Sequence, residues 1–262
     1  TNGLSEDINV AKLLCGSEGT LAFTTAITLQ LDVLPPKEEV FVIVHFKSIQ
    51  ESLKATLIAM KHNLYSCELL DKTILDCTKN NREQVKNRFF IEGDPEAILI
   101  LEIRDGSSEK TKVLANNLIQ DLKKNDLGYA FPKLYDQDIK KVIELRKAGL
   151  GLLGNIVGDS KAVACIEDTA VDLKDLPNYI SEFTKMMDSY GQKAVYYAHA
   201  GAGEIHLRPI LNLKDNKDVA LFREITTETA KLVKKYKGSF SGEHGDGIVR
   251  GEFLPLMIGE KN

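Results

Sequence analysis

Residues 40–46 form a nearly unbroken apolar run of strand length, and past Ser48 the apolar positions shift to helical spacing at Ile49, Leu53, Leu57 and Met60. Ser48 is placed to cap that helix, which the pattern carries to about Lys61. The alternation of short apolar runs with longer amphipathic stretches then continues. Strands are predicted over 65–69, 97–103 and 129–131, helical stretches over 70–78 and 82–90, and a helix over 108–124 with Val113, Leu114, Leu118 and Leu122 spaced for burial. A second set follows: a helix over 137–150, a glycine-rich passage over 149–158, a strand over 162–166, a helix over 173–190, strands over 194–198 and 204–211, a long helix over 215–236 and a short strand over 239–241. Each set has the order of a split β-α-β unit. The predicted fold class is therefore α+β, a duplicated ferredoxin-like antiparallel sheet with helices on one face.

Upstream of this pattern, residues 8–15 carry Val10, Leu13 and Leu14 at helical spacing, and a loop, Gly16-Ser17-Glu18-Gly19-Thr20, follows. Its two glycines allow either a plain tight turn or a backbone that a polar ligand can approach. Residues 22–34 alternate, with Phe23, Thr25, Ile27, Leu29, Leu31 and Val33 on one face, which predicts a long half-buried strand ended by Pro35-Pro36. The prolines mark a boundary, so residues 1–36 and 37–262 are expected to be separate pieces.

Composition changes the picture mainly by exclusion. The chain has 262 residues, 43% of them hydrophobic and 27% charged, as in ordinary globular proteins. A net charge of -4 with no basic tract speaks against a nucleic-acid partner. No apolar run reaches membrane-spanning length and no signal peptide opens the chain. Cys15, Cys67, Cys77 and Cys165 are scattered, without a CxxC pair, and are expected to be buried thiols in a reducing, cytoplasmic setting. Thr1 stands where a complete chain would carry Met, so a fragment of a longer protein is expected.

Three of the five histidines fall in two glycine-rich segments, His199-Ala200-Gly201-Ala202-Gly203-Glu204-Ile205-His206 and Ser241-Gly242-Glu243-His244-Gly245-Asp246-Gly247. A tight turn between two strands can bring His199 and His206 to one side, and Glu243 would complete a three-ligand set with open coordination, as in catalytic zinc sites. His244 would remain free as a general base. Arg208 lies two residues beyond His206 and shares its strand face. Arg146 precedes the glycine-rich passage, and either arginine has the planar fork that clamps a carboxylate. The bland alternatives are core histidines and surface ion pairs. They fit three glycine-flanked histidines less well than isolated ones such as His45 and His62.

These motifs resemble a known family. Gly-Ser-Glu-Gly-Thr-Leu-Ala-Phe resembles the end of the FAD-binding domain of vanillyl-alcohol-oxidase-type flavoproteins. His-Ala-Gly-Ala-Gly-Glu-Ile-His-Leu-Arg-Pro and Ser-Gly-Glu-His-Gly-Asp-Gly resemble the cap domain of their 2-hydroxy-acid dehydrogenase branch, which includes D-lactate dehydrogenases, the glycolate oxidase subunit and D-2-hydroxyglutarate dehydrogenases. The wording is nearest to members fused to a C-terminal iron–sulfur module. The resemblance implies that residues 1–36 are the tail of a flavin domain and 37–262 the substrate-binding cap. It implies FAD in the intact protein, a divalent metal such as zinc on His199, His206 and Glu243, and His244 as the base. It further implies Arg146 as the carboxylate-binding arginine, and Gly16, Ser17, Glu18, Gly19 and Thr20 beside the flavin. The substrate class would be a small D-2-hydroxy acid, with flavin and iron–sulfur domains of the same polypeptide as partners. Peripheral attachment to the inner membrane is compatible with such a protein. Ala202 and Glu204 depart from the pattern, since many relatives carry Asp and Asn there. A non-catalytic metal- or anion-binding ferredoxin-like module, or a metal-dependent hydrolase on the same residues, are the competing readings.

Overall fold

The computed structural model describes residues 9–17 and 19–260. They divide into two compact units, Thr1–Pro35 and Pro36–Asn262. In the first, helix α1 (Val10–Leu14) is capped by Asn9, whose side chain accepts from the Lys12 N–H. Gly16 and Gly19 both take left-handed backbone, and Thr20 closes the turn by donating from N and Oγ1 to the Ser17 carbonyl. Residues 22–34 are not a strand, contrary to their alternation. Phe23 is 92% and Val33 94% exposed, and among the described residues none pairs with this segment. Alternation alone does not make a strand when no ladder partner takes up its N–H and C=O groups. Cys15, expected buried, is exposed on this unit, whereas Cys67 and Cys165 are buried as expected and Cys77 is half-buried.

The second unit begins with β1 (Glu38–Phe46), α2 (Ile49–Ala59), β2 (Ser66–Asp71), α3 (Lys72–Lys79), β3 (Ala97–Asp105), α4 (Ser108–Lys124) and β4 (Lys133–Leu134). It continues with α5 (Asp136–Leu152), β5 (Lys161–Ala162), β6 (Ile166–Ala170), α6 (Leu176–Ser189), β7 (Ala194–His199), β8 (Glu204–Leu211), α7 (Asn216–Lys235), α8 (Gly247–Arg250) and α9 (Leu254–Ile258). Eight strands form one antiparallel sheet in the order β4-β1-β3-β2-β7-β8-β5, with β6 also paired to β8. The order β4-β1-β3-β2 is that of a ferredoxin-like half. The second half repeats it, its last strand reduced to a bridge between Ser239 and Ala170. The halves join edge to edge where Leu69 and Leu70 of β2 face Ala198 and Tyr197 of β7. Asp71 ties this seam: one carboxylate oxygen accepts from the Ile74 N–H and caps α3, the other from the Tyr196 N–H of β7, each at 3.0 Å.

Helices α2, α4, α6 and α7 cover one face of the sheet, as expected, but α3 and α5 cover part of the other. The expected restriction of helices to one face is thereby corrected. The physical sign is β1 itself. Val40, Val42, Val44 and Phe46 pack into one cluster and Phe41 and Ile43 into a second, so the strand is apolar on both sides and shows no alternation. Smaller departures have local causes. The strand expected at 129–131 is present as a bridge between Ala130 and His45 and resumes as β4 at Lys133, because Pro132 between them has no N–H for the ladder and offers only its carbonyl, to Ile43. Residues 82–90 form a single 3-10 turn, Val85–Arg88. The strand expected at 162–166 is two pieces, β5 and β6, and β6 carries a register shift at Asp168, a residue with φ +61°.

Candidate functional site

Hairpin β7–β8 supplies the floor. Its register sets His199 opposite Glu204, Tyr197 opposite His206 and Val195 opposite Arg208. Residues facing each other across a ladder share a sheet face, so all of these lie on the side of α3 and α5. Gly203, at φ +74°, makes the turn; a Cβ there would stand 2.2 Å from the Val171 carbonyl oxygen, so no other residue fits. The His199 and His206 rings meet edge to face at 5.3 Å between centroids, and His206 stands the same distance from His244.

The second histidine segment is pinned by Asp168. Its buried carboxylate Oδ2 accepts from the N–H groups of Glu243 and His244, at 2.9 and 2.8 Å, and from Ser241 Oγ at 2.7 Å. Oδ1 pairs with Arg250 Nη1 at 2.8 Å, and Arg250 in turn donates to the carbonyls of Glu167, Phe240 and Gly245. Burial acts to raise the Asp168 carboxyl, but the N–H groups of His244 and Glu243, Ser241 and Arg250 outweigh it and hold the pKa low. The bulge that turns Asp168 toward residues 241–244 is thus the device that carries Glu243 and His244 to the hairpin.

Glu243 Oε1 then lies 3.6 Å from His199 Nε2, 3.7 Å from His206 Nε2 and 3.1 Å from His244 Nε2. One ligand atom each from His199, His206 and Glu243 falls within 4.8 Å of the others, and so does the set Glu167, His206 and His244. The expected trio and the expected base therefore share one place. On the other side Glu68 of β2 takes His199 Nδ1 at 3.1 Å and an ion pair from Arg146 of α5, whose Nη2 is 3.3 Å from the same His199 nitrogen. The Arg146 guanidinium also lies 5.0 Å over the Tyr197 ring. Arg208 is turned to Glu167, with Nη2 at 2.8 and 2.7 Å from the two oxygens. The loop at 16–20 belongs to the first unit, where Gly16, Ser17, Gly19 and Thr20 form the exposed turn described above; Glu18 lies outside the described residues.

The electrostatics are uneven. Hydrogen bonding to Glu68 raises the His199 pKa, while burial lowers that of His206. Burial, and then the nearby Glu243 carboxylate, raise Glu204, whose Oε1 is buried with no hydrogen-bond partner among the described residues. A cleft of about 440 Å³ opens beside these groups, lined at its polar end by Glu68, His199, Glu204 and Glu243 and at its apolar end by Met60 and Leu64. Glu68, Glu204 and Glu243 around the His199 imidazole favour a positive charge among them. Sequence reasoning missed Glu68, Glu167 and Asp168. Glu68 and Glu167 read as ordinary strand carboxylates; the only signal for Asp168 was a polar Glu-Asp-Thr interrupting an apolar strand.

The chain belongs to the FAD linked oxidases, C-terminal domain, a family whose model matches residues 35–262 and so takes in the whole of this sheet and its histidines. Among curated relatives, a D-2-hydroxyglutarate dehydrogenase of Pseudomonas putida is 32% identical over 261 residues, covering 96% of this chain and 26% of that protein. A D-lactate dehydrogenase of Archaeoglobus fulgidus is 26% identical over 98% of this chain and 54% of its own length. This chain therefore spans about a quarter of the D-2-hydroxyglutarate dehydrogenases it matches, 26% of one and 24% of another. In fold, 4-ethylphenol oxidase from Gulosibacter chungangensis is similar with a TM-score of 0.56 and 11% identity, over 79% of this chain and 46% of that one.

Proposed function

We propose that residues 37–262 are the substrate-binding cap, and residues 1–36 the tail of the flavin domain, of an FAD-dependent dehydrogenase that oxidises a D-2-hydroxy acid to the 2-oxo acid. The observation that carries this is the convergence of His199, His206 and Glu243 with His244 alongside, in a chain of this family. The donor set suits a borderline divalent cation such as zinc. Ligands about 2.0–2.1 Å from zinc at a tetrahedral angle stand roughly 3.3 Å apart, and the separations of 3.6 and 3.7 Å between Glu243 and the two imidazoles are near that. Glu204 Oε1, 4.0 Å from His206 Nε2 and without a hydrogen bond among the described residues, is a further acceptor beside them. For FAD, the 16–20 turn has two left-handed glycines with nothing within 4 Å of where a Cβ would lie, a backbone open to a polar ligand.

FAD, when bound, accepts the hydride from the substrate's C2, and the cation supplies positive charge opposite the hydroxyl and carboxylate oxygens. His244 takes the hydroxyl proton at Nε2, the nitrogen that now donates to Glu243 Oε1 at 3.1 Å and that is released when Glu243 holds the cation. Arg146 holds the substrate carboxylate, exchanging part of its hold on Glu68 for it. Arg208 neutralises Glu167, which faces the imidazoles, and so acts on the site through that partner. An iron–sulfur module of the same polypeptide would carry the electrons onward; the chain covers only 26% and 24% of the D-2-hydroxyglutarate dehydrogenases, which leaves length for such a module. We place the protein in the cytoplasm, a location compatible with peripheral attachment to a membrane. Among the described residues no helix is long and apolar enough to cross one.

The test is anaerobic titration of the intact, flavin-bound protein with D-2-hydroxy acids, before and after chelation and zinc repletion. Bleaching of the flavin that is lost on chelation and restored by zinc is expected. A colourless protein, or a flavin that no D-2-hydroxy acid reduces, refutes the reading and favours a non-catalytic module.

A further inference from the structure

Glu167 on β6 faces two imidazoles at once. Its side chain is 9% exposed, and Oε1 lies 3.7 Å from His206 Nδ1 and 4.0 Å from His244 Nδ1. These are the ring nitrogens turned away from Glu243, toward which both rings direct Nε2. Among the described residues His206 Nδ1 has no hydrogen-bond partner, so Glu167 is the acceptor within reach. By spacing alone, Glu167, His206 and His244 could hold a second cation. Arg208 argues otherwise: its Nη2 donates to both carboxylate oxygens, so that carboxylate already has its counter-charge and an ion placed there would meet a guanidinium. What Glu167 retains is acceptor capacity, since a carboxylate offers about four lone-pair sites.

We propose that Glu167 is a positioning residue. Braced by Arg208, it accepts from the Nδ1–H of His206 and of His244 and so keeps both rings in the tautomer that presents an Nε2 lone pair to the trio. This rests on the reading of His206 as a ligand and His244 as the base, and it explains how one carboxylate serves both. A ligating histidine needs its second N–H bound to orient the ring and fix the tautomer. A base needs the same tautomer to receive a proton at Nε2, so the Nε2–H that His244 shares with Glu243 Oε1 at 3.1 Å would pass to Nδ1 when that oxygen binds a cation. The present separations exceed hydrogen-bond length and close by a small rotation of the Glu167 side chain or of either ring, as such contacts do when a site binds its ligand. Arg208 acts through Glu167 and does not itself touch substrate.

The test uses the full chain, with zinc as probe, in competition with a chromophoric chelator, and histidine ¹⁵N spectra of the zinc-loaded protein. The wild type is expected to show Nδ1–H protons on His206 and His244 that exchange slowly. Glu167→Gln is expected to weaken zinc binding about 10–100-fold, the usual effect of losing such a partner, and to lose the slow exchange, while Glu167→Asp restores part of both. Unchanged zinc affinity in Glu167→Gln, or His206 and His244 protonated on Nε2 in the zinc-loaded wild type, overturns the proposal. The second measurement needs no variant, so it stands if Glu167→Gln fails to fold. A wild-type chain that takes up no zinc instead overturns the metal reading on which the proposal rests.

Discussion

Asp168→Asn is the substitution that separates structure from chemistry at this site. Asparagine tolerates the left-handed backbone at this position (φ +61°) and preserves the side-chain volume, so charge and acceptor capacity are what change. The carboxylate takes three donors from residues 241–244 and pairs with Arg250, which is itself only 5% exposed. An amide has one acceptor oxygen, so its NH₂ must face either those donors or the guanidinium. Hydrogen bonds to charged groups contribute about 1.5–3 kcal/mol each, and breaking a buried ion pair by removing one partner costs about 3–5 kcal/mol. The contacts share one carboxylate and do not add. We expect a loss of about 3–5 kcal/mol, which in a domain of this size lowers Tm by roughly 6–20 °C. Circular dichroism melts measure it. Zinc affinity should fall as well, because Glu243 is placed through its own backbone N–H to Asp168. A Tm within about 2 °C of wild type, with zinc binding intact, would show that residues 241–247 hold their place without Asp168.

His244→Ala in the intact enzyme should lower turnover by about two to four orders of magnitude, the usual loss for a general base, while the chain's zinc content stays the same; wild-type turnover would remove His244 from that role. His199→Ala and His206→Ala should each reduce bound zinc per chain in elemental analysis, and full stoichiometry in both would exclude them as ligands. Asp71 gives a pH prediction: burial raises its carboxyl from 3.8 to about 7. A folded pKa above the unfolded one means stability is fully present below about pH 4 and is lost as pH rises to about 7, by about 4 kcal/mol at most. Asp71→Asn should flatten that decline in melts between pH 4 and 8, at the cost of one of the two N–H bonds; an unchanged slope would show that Asp71 ionises freely.

The chain gave up its fold and its site unequally. Helix 108–124, the Ser48 cap and the hairpin strands were legible because periodicity and caps are local, and the structure places them within a few residues of expectation. The four groups at the centre, His199, His206, Glu243 and His244, were legible because imidazoles are few, glycines marked their loops and Glu243 stands beside one of the imidazoles. Glu68, Glu167 and Asp168 were not, because a strand carboxylate looks the same whether it faces solvent or a histidine. What separates them is sheet register, a long-range property. The 22–34 alternation failed for a related reason: pattern shows which face would be buried, and pairing depends on residues elsewhere.

The seam between the halves has a consequence for motion. Glu68 comes from β2 and His199 from β7, on either side of a junction held by two residue pairs and Asp71. Any slip along that junction changes the Glu68–His199 separation directly. A ligand bridging the two would therefore tie one duplicated half to the other at a joint of only two residue pairs.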